Sequence, residues 1–326
     1  MHIITTKRIN VFSFIKAIQN LLGELKKRKG LWFTTLTILS IIGILTSMHL
    51  LTSMTSSIAE KVYENMSVIY KSNLEERIDD KQKDLRKTVL GLRTNDTFKN
   101  NLANKEVIDT IVSNYNKSLQ EIGVESTSLI FYSTVNQTNQ YRNIINSVIN
   151  RKISIFGIEV LSDGPNVVYI EPIISGESVV GVVEIKESLI SIKKDFERNK
   201  QSIFVFLMQE KMMANLSIDA KNGRYRPVVD DLRVEEQKYD GSFFANVIED
   251  GLDGFKELKD KGYIVNKEYF KTYKEILDVN GVTIGYALIG EQVQGNGGFV
   301  NIVDKMTKSV TMIALGLVIS ILLFMF

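Results

Sequence analysis

The 326-residue sequence predicts an α+β protein, with a long N-terminal stalk helix followed by two antiparallel sheet modules, flanked by two transmembrane helices. Two apolar segments near the ends of the chain are long enough to cross a bilayer. A stripe of apolar residues at helical spacing, without a proline, follows the first segment. A strand–turn–strand pattern then occurs twice, which indicates duplicated sheet modules.

The first apolar segment, 31–51, contains 21 residues and no aspartate, glutamate, lysine or arginine. At about 1.5 Å per residue a helix of that length spans about 31 Å, close to the thickness of the hydrocarbon core. The preceding segment, 1–30, carries seven lysines and arginines against one glutamate, so the positive-inside rule places it in the cytoplasm. The second apolar segment, 310–326, predicts a return to the cytoplasm.

The region between the two predicted spans divides into a stalk and two modules. Apolar residues recur at helical spacing from about 55 to 90, which predicts a stalk helix roughly 50 Å long. The stalk helix and a membrane-distal module together cover 55–199. A membrane-proximal module covers 200–293, and a linker covers 294–309.

The evidence for duplication is an alignment without a gap between two stretches that lie 104 residues apart, YIEPIISGESVVGVVEI (169–185) and YKEILDVNGVTIGYALI (273–289). Each reads as a strand, a tight turn and a returning strand, and Asn-Gly in the second is a strong hairpin signal. The aligned identities are Tyr169 with Tyr273, Glu171 with Glu275, Gly181 with Gly285, and Ile185 with Ile289.

Composition excludes several kinds of chemistry. The chain has no cysteine, which excludes disulfides, thiolate metal sites and cysteine nucleophiles. Its two histidines, His2 and His49, precede the modules, so the modules have no histidine base or histidine metal site. A net charge of +2 gives no reason to expect nucleic acid as a partner. We therefore expect no enzymatic activity, no catalytic residue, no metal and no cofactor.

The region from about 55 to 293 resembles the double Cache domains, which are the exported sensor modules of bacterial chemoreceptors and sensor kinases. The resemblance covers the stalk helix, two PAS-like sheets between two spans, and two local patterns. It implies ligand binding in the membrane-distal module, with the sensor domain in the periplasm or outside a bacterial inner (cytoplasmic) membrane. The two patterns are RKISIFGIEVLSDGPNVVYIEPIISGESVVGVVEI (151–185) and KGYIVNKEYFKTYKEILDVNGVTIGYALIGE (261–291).

Two features depart from the family. No HAMP, methyl-accepting, kinase or cyclase region follows the second predicted span in this sequence. Three explanations are open: a fragment of a longer receptor, a gene that ended early, or a stand-alone sensor that acts through a separate cytoplasmic signalling protein. The sequence Gly295-Asn296-Gly297-Gly298 interrupts the helix expected after the last strand. Receptors of this family usually work as dimers, and the apolar stripe of the stalk helix predicts a homodimer.

The resemblance also implies where the ligand binds. Family pockets lie between the sheet face and the loop–helix segment before the central strands, and here that segment contains Tyr141 and Arg142, facing Tyr132 and Tyr169. An arginine can hold a carboxylate with two hydrogen bonds, and tyrosines supply walls with a polar tip. We expect a small anionic or zwitterionic ligand, such as a carboxylate or an amino acid. The alternative is that Arg142 lies on the surface and the tyrosines belong to the core.

The leading functional hypothesis is a membrane-anchored, chemoreceptor-like sensor that binds a small molecule outside the membrane and transmits a signal inward. The alternative is a two-span protein whose exported domain docks a protein partner. An exported hydrolase is a poor third hypothesis, because the modules lack histidine and any paired-carboxylate motif.

Overall fold

The computed structural model describes residues 29–122, 127–134, 141–198, 202–222, 224–235, 238–294 and 299–325. Nearly all of the predicted basic segment 1–30 and the glycine-rich part of the predicted linker lie outside these residues. The chain divides into two compact units. One combines the residues up to Glu60 with those from Lys305 onward, and the other contains Lys61–Asp304.

The first helix, α1 (Lys29–Thr94), is continuous through the predicted span and the predicted stalk. No proline interrupts its 66 residues, so the backbone hydrogen bonding of the helix never has to break. Threonine hydroxyls in the apolar part donate to the carbonyl four residues earlier, as Thr46 does to Ile42 at 2.8 Å and Thr52 to Met48 at 2.9 Å. These bonds satisfy the hydroxyls inside the helix itself, as a hydrocarbon environment requires.

Of the described helices, α1 alone is long and apolar enough to cross a bilayer, with a mean hydropathy of 1.6 over its most apolar window. The last helix, α8 (Phe299–Met325), contains the described residues of the second predicted span, 310–326. It begins at Phe299, so the predicted linker 294–309 is helical over most of its length. The second span itself stays a prediction.

The first module is a four-stranded antiparallel sheet with strand order β1-β4-β3-β2. Short helices precede the sheet and follow its strands. Its elements are α2 (Asp96–Asn100), α3 (Lys105–Glu121), β1 (Thr127–Ser133), α4 (Asn143–Arg151), β2 (Ile155–Leu161), β3 (Gly164–Ser175), β4 (Ser178–Ser188) and α5 (Ile190–Phe196).

The second module is a six-stranded antiparallel sheet with strand order β6-β7-β5-β10-β9-β8. The predicted α+β class, with a long N-terminal helix and two antiparallel sheets, is therefore confirmed. The elements are β5 (Ile203–Gln209), a 3₁₀ turn (Glu210–Asn215), α6 (Ile218–Lys221), β6 (Tyr225–Pro227), β7 (Leu232–Glu235), α7 (Gly241–Lys261), β8 (Tyr263–Val265), β9 (Tyr269–Leu277) and β10 (Thr283–Gln292).

One face of each sheet packs against α1, and we call it the stalk face. Residues of α1 such as Leu74 and Val89 share a single core with Ile185 of the first sheet and Ile289 of the second. The opposite faces are covered separately. In the first module α4 lies on that face, and in the second module α7 does.

The sequence alignment of the two hairpins agrees with the structure in the returning strands, β4 and β10. In the preceding strands, β3 and β9, the aligned residues differ by one position in their pairing. Ile185 and Ile289 both lie on the stalk face. Tyr169 pairs with Ile185, whereas Tyr273 pairs with Leu288, one position away from the equivalent residue. Both hairpins have a register irregularity at the same aligned position, Val180 in the first and Ile284 in the second. The chain from Leu277 to its partner Thr283 is one residue longer than the chain from Ile174 to its partner Val179, and a shift of one residue turns a side chain to the other face. The matches Tyr169–Tyr273 and Glu171–Glu275 are therefore not structural equivalences.

Candidate functional site

A cavity of about 870 Å³ opens on the face of the first sheet that is turned away from α1. Strands β1, β2 and β4 and the start of α4 supply one wall. The 3₁₀ turn and the β9–β10 hairpin of the second module supply the other wall. The cavity thus lies within the larger unit and is shared by the two modules.

The cavity exists because α4 is too short to cover its sheet. The helix has nine residues, and its buried side chains Ile144, Ile145 and Val148 pack on Val168 and Ile170 of β3. It ends at Lys152, which adopts a left-handed conformation with φ of 57°. Among the described residues, no helix covers the rest of the sheet face, towards β1 and β2.

The centre of the cavity wall is an arginine held between two glutamates. Arg142 donates from Nη1 to Glu159 Oε2 at 2.8 Å and from Nη2 to Glu184 Oε1 at 2.5 Å. The hydroxyl of Tyr132 donates to the other oxygen of Glu184 at 2.5 Å. Only 1% of the Glu184 side chain is exposed, against 35% of the Arg142 side chain. The ion pairs therefore hold the guanidinium at the cavity wall, where solvent and small molecules reach it.

Burial and charge shift the pKa values of this group. Burial disfavours the charged guanidinium, but Glu184 and Glu159 outweigh it and raise the pKa of Arg142 above its ordinary value. Burial also raises the pKa of the Tyr132 hydroxyl, and the carboxylate of Glu184 raises it further. For Glu159, burial is the largest cause of a raised pKa, with Arg142 opposing it and Glu184 and Asp278 adding to it. The cavity is thus an environment in which a further negative charge is unfavourable.

Three of the four predicted ligand residues meet at the cavity. Arg142, Tyr141 and Tyr132 all line it. The rings of Tyr132 and Tyr141 are edge to face, with centroids 5.7 Å apart. The Tyr141 hydroxyl donates to the carbonyl oxygen of Ser133, which fixes the loop side of the cavity to β1.

The expectation that Tyr169 faces this group is wrong. Side chains alternate along β3, so Tyr169 points to the stalk face while its neighbours Val168 and Ile170 point towards α4. Its hydroxyl donates to Glu171 at 2.7 Å, and Glu171 forms an ion pair with Arg93 of α1. Tyr169 and Glu171 therefore join the sheet to α1 on the face opposite the cavity.

Sequence reasoning missed the charged partners of Arg142. Glu159, Glu184 and Lys186 of the first module line the cavity, and so does Asp278 of the second. A signal was available for two of them, because Glu159 and Glu184 each interrupt an apolar strand run, IFGIEVL and VVGVVEI. A carboxylate in such a run is expensive to bury unless it has a partner. Asp278 carries no such signal, because it reads as an ordinary turn residue.

The cavity has a slight excess of negative charge. It is lined by two basic side chains, Arg142 and Lys186, and three acidic ones, Glu159, Glu184 and Asp278. Lys186 is also paired with Asp163 at 2.6 Å. In the part of the chain that the structure describes, no group of three or more acidic or histidine side chains is arranged to hold a metal ion. The arrangement suits a ligand with a positively charged group better than a simple anion.

No protein-family profile and no curated protein sequence matches this chain. Solved sensor domains do match it in structure. The ligand-binding domain of the Campylobacter jejuni chemoreceptor Tlp3, in complex with L-norvaline, is 12% identical, with a TM-score of 0.39 over 73% of this chain and 93% of that one. The sensor domain of the Vibrio cholerae histidine kinase DctB is 12% identical, with a TM-score of 0.38 over 71% and 98%.

A third match is the extracellular domain of a candidate histidine kinase, vpHK1S-Z8, which is 11% identical with a TM-score of 0.44 over 72% of this chain and 97% of that one. The predicted resemblance to double Cache sensor domains of chemoreceptors and histidine kinases is thus confirmed as a structural match. With about a tenth of the residues identical, the ligands and activities of these proteins do not transfer to this chain.

Proposed function

We propose that this chain is an extracytoplasmic sensor that binds a small molecule in the cavity of the first module and transmits a signal across the membrane. The observation that carries the proposal is the cavity itself, with Arg142 held at its wall by Glu159 and Glu184. A buried carboxylate such as Glu184 is costly even when it is paired. An arrangement of this kind beside an open cavity of about 870 Å³ is typical of a binding site.

The ligand class follows from the charges. An amino acid or a related small amine brings an ammonium group for the excess carboxylates, and a carboxylate of the ligand can use the exposed edge of Arg142. A ligand with only negative charge would have to compete with Glu159 and Glu184 for the same guanidinium. Tyr132 and Tyr141 supply an aromatic wall for the remaining atoms.

The proposed setting is a bacterial inner (cytoplasmic) membrane with two spans, α1 and α8. Arginine and lysine before α1 support a cytoplasmic N-terminus, which places the two modules in the periplasm or outside the cell. A homodimer and a separate cytoplasmic signalling protein complete this proposal. The exposed apolar residues Val68, Ile69 and Leu90 on α1 are the surface that a second copy would use.

The test is ligand binding by the full chain in lipid nanodiscs. We would measure thermal unfolding against the twenty standard L-amino acids, simple alkylamines and simple carboxylic acids. A compound at 100 times its Kd adds about 2.7 kcal/mol, which is a shift of several degrees for domains of this size. We expect amine-containing compounds to raise Tm and simple carboxylic acids to leave it unchanged.

A matched pair of variants locates the site. Arg142→Ala removes the guanidinium at the cavity, and we expect it to abolish the shift. Arg151→Ala removes an exposed arginine at the other end of the same helix, and we expect the shift to persist. Binding that survives Arg142→Ala would refute this site. The absence of any shift across the panel would favour a module that docks a protein partner.

Binding of an amine also has an expected pH dependence. Burial raises the pKa of Glu159 above the ordinary value for a glutamate, so its carboxyl takes up a proton at a higher pH than an exposed glutamate does. An ammonium group favours the ionised carboxylate, so binding releases a proton and affinity falls as pH drops through the pKa of Glu159. Calorimetry in two buffers with different ionisation enthalpies measures this proton release.

A further inference from the structure

The tip of the β9–β10 hairpin, residues 278–282, reaches from the second module to the first sheet. Asp278 forms an isolated parallel β-bridge with Ile158 of the edge strand β2. Next to it, Val279 lies directly over Gly157. A Cβ atom added at Gly157 would stand 2.7 Å from Cγ1 of Val279, closer than side-chain contacts allow. The absence of a side chain at Gly157 is therefore what lets the tip contact β2.

The same tip forms part of the cavity wall. Asp278 and Asn280 line the cavity, opposite Glu159 and Arg142 of the first module. Oδ1 of Asp278 accepts the backbone N–H groups of Asn280 and Val282, each at 2.8 Å. These bonds hold the carboxylate in place within the turn. Oδ2 has a single long contact, with Asn280 Nδ2 at 3.5 Å, and so retains capacity to accept a hydrogen bond.

The other end of this hairpin is tied to the last helix. Glu291, near the end of β10, is 2% exposed. Its Oε1 accepts the backbone N–H of Val300, in the first turn of α8, at 3.2 Å. Its Oε2 accepts the hydroxyl of Tyr70 on α1. Strand β10 therefore connects the cavity to the start of α8, and a buried carboxylate makes the final link.

We propose that Asp278 is a ligand-contacting residue and that the β9–β10 hairpin is the element through which an occupant of the cavity acts on α8. The inference rests on the proposed function, because it adds a second wall to the same ligand site. With Asp278 the cavity is lined by three acidic side chains against two basic ones, so the group that Oδ2 would contact is the ammonium of the ligand. An occupant that draws Asp278 towards Arg142 and Tyr132 would pull on β10 and, through Glu291, on α8.

The first experiment tests the ligand contact. We would take any compound of the panel that binds the full chain in nanodiscs and measure its affinity for Asp278→Asn, which removes the charge and keeps an oxygen for the turn. Loss of a charge-assisted hydrogen bond predicts a roughly tenfold weaker affinity. The control is Asp253→Asn, a fully exposed aspartate on α7, which should not change the affinity.

An unchanged affinity in Asp278→Asn would overturn the inference and leave the proposed function intact. Failure of every panel compound to bind wild-type protein would refute both the proposed function and the ligand contact. The two results are therefore distinguishable.

The second experiment tests the connection to α8 and needs no ligand. The Cβ position at Gly157 is 3.5 Å from the Cβ of Val279, within the range of a disulfide. The natural chain has no cysteine, so the double variant Gly157→Cys/Val279→Cys has no competing thiol. Oxidation should fix the tip to β2, and each single variant serves as the control for the oxidising treatment.

We would compare amide hydrogen exchange at residues 299–309 in the oxidised and reduced double variant. A rigid connection predicts several-fold slower exchange at the start of α8 in the oxidised form. A disulfide that forms without changing exchange at 299–309 would overturn the coupling role of the hairpin. A disulfide that does not form would show that the tip is not seated on β2, which also overturns it.

Discussion

The two modules use the same arrangement, a sheet between α1 and a second helix, but the described residues leave a cavity on the outer face of the first sheet and fill the equivalent face of the second. In the first module, α4 has nine residues and covers part of the sheet. In the second module, α7 has 21 residues and bends at Gly251, where φ is 66°. Its side chains Phe243, Phe255 and Leu258 fill the equivalent face. The length of the covering helix decides whether this face of a module becomes a binding site or a core.

The charged groups on these two faces differ in the same way. Arg142 lines an open cavity with its two glutamates, whereas Lys271 is sealed, with 1% of its side chain exposed. Lys271 forms an ion pair with Asp250 and donates to the carbonyl oxygen of Asn246 at 3.3 Å. A ligand can reach the first group but not the second. The comparison therefore supports the proposal that a ligand binds in the first module, and it indicates a structural role for the Lys271 ion pair in the second.

The largest effect is expected from removing a side chain that fills the face of the second sheet opposite α1. Phe243 is fully buried, and its ring lies so close to Gly290 that a Cβ there would stand 2.1 Å from it. We expect Phe243→Ala to cost about 4 kcal/mol, because it removes a buried ring and leaves a hole that the rigid sheet cannot close. Urea unfolding of the full chain in detergent, followed by circular dichroism, measures it. A loss below about 1 kcal/mol would contradict a tightly filled face.

The next test concerns the sealed ion pair of the second module. Lys271→Met keeps the aliphatic stem and leaves Asp250 without its cation. Removing one partner of a buried pair predicts a loss of about 3 kcal/mol in the same unfolding measurement. The control is Lys256→Met, which removes an exposed lysine from α7. Similar losses in the two variants would show that the Lys271–Asp250 ion pair contributes no more stability than an exposed lysine does.

The Lys271 variant also changes the response to pH. Burial is the largest cause of the lowered pKa of Lys271, and it outweighs the attraction of Asp250. The folded protein therefore binds fewer protons than the unfolded chain between the lowered pKa and the ordinary value near 10.4. Stability of the natural protein should rise with pH across that interval, and Lys271→Met should lack this contribution. Equal pH profiles for the two proteins would contradict the sealed environment.

A smaller effect is expected from the open site. Arg142→Ala leaves the buried carboxylate of Glu184 with Tyr132 as its remaining partner among the contacts described here. We expect a loss of about 2 kcal/mol of unfolding free energy, because the arginine is partly exposed and water can replace some of its bonds. Arg142→Lys keeps the positive charge but cannot donate to both glutamates from two guanidinium nitrogens, so it should recover part of the stability. Full stability in Arg142→Ala would mean that Glu184 does not depend on the ion pair.

The smallest expected effects compare the two glutamates that the ungapped alignment matches. Glu171 is buried between Arg93 and Tyr169, so Glu171→Gln should cost about 1.5 kcal/mol. Glu275 is exposed and bonded to Thr283, so Glu275→Gln should change stability by less than about 0.5 kcal/mol. Equal losses of unfolding free energy in the two variants would indicate that the two glutamates are equivalent, contrary to the strand register. Unfolding of both variants in the same buffer settles the comparison.

Local patterns in the sequence were enough to predict the class, the long first helix and the two hairpins, but they did not predict α3, β6 or β7. The uncharged segment 31–51 and the apolar stripe that follows it predict a long helix, because 3.6-residue periodicity and the absence of proline are properties of the chain itself. Alternating apolar runs around Ser175-Gly176-Glu177 and Asn280-Gly281 predict the two hairpins for the same reason. Placing Tyr141 and Arg142 in the loop–helix segment over the sheet brought two cavity residues together with Tyr132.

Tertiary structure decided which faces these residues share. Tyr169 and Tyr273 look equivalent in sequence, but the turn between paired residues is one residue longer in the second hairpin, and this shift of register turns the two tyrosines to opposite faces. The partners of Arg142 lie on β2 and β4, and Asp278 comes from the other module, so their meeting depends on contacts between residues far apart in the chain. The sequence determined the long first helix and the hairpins, and the family resemblance read from it pointed to three of the cavity residues. Only the packing of two sheets around one helix determined that a cavity exists, and that both modules build it.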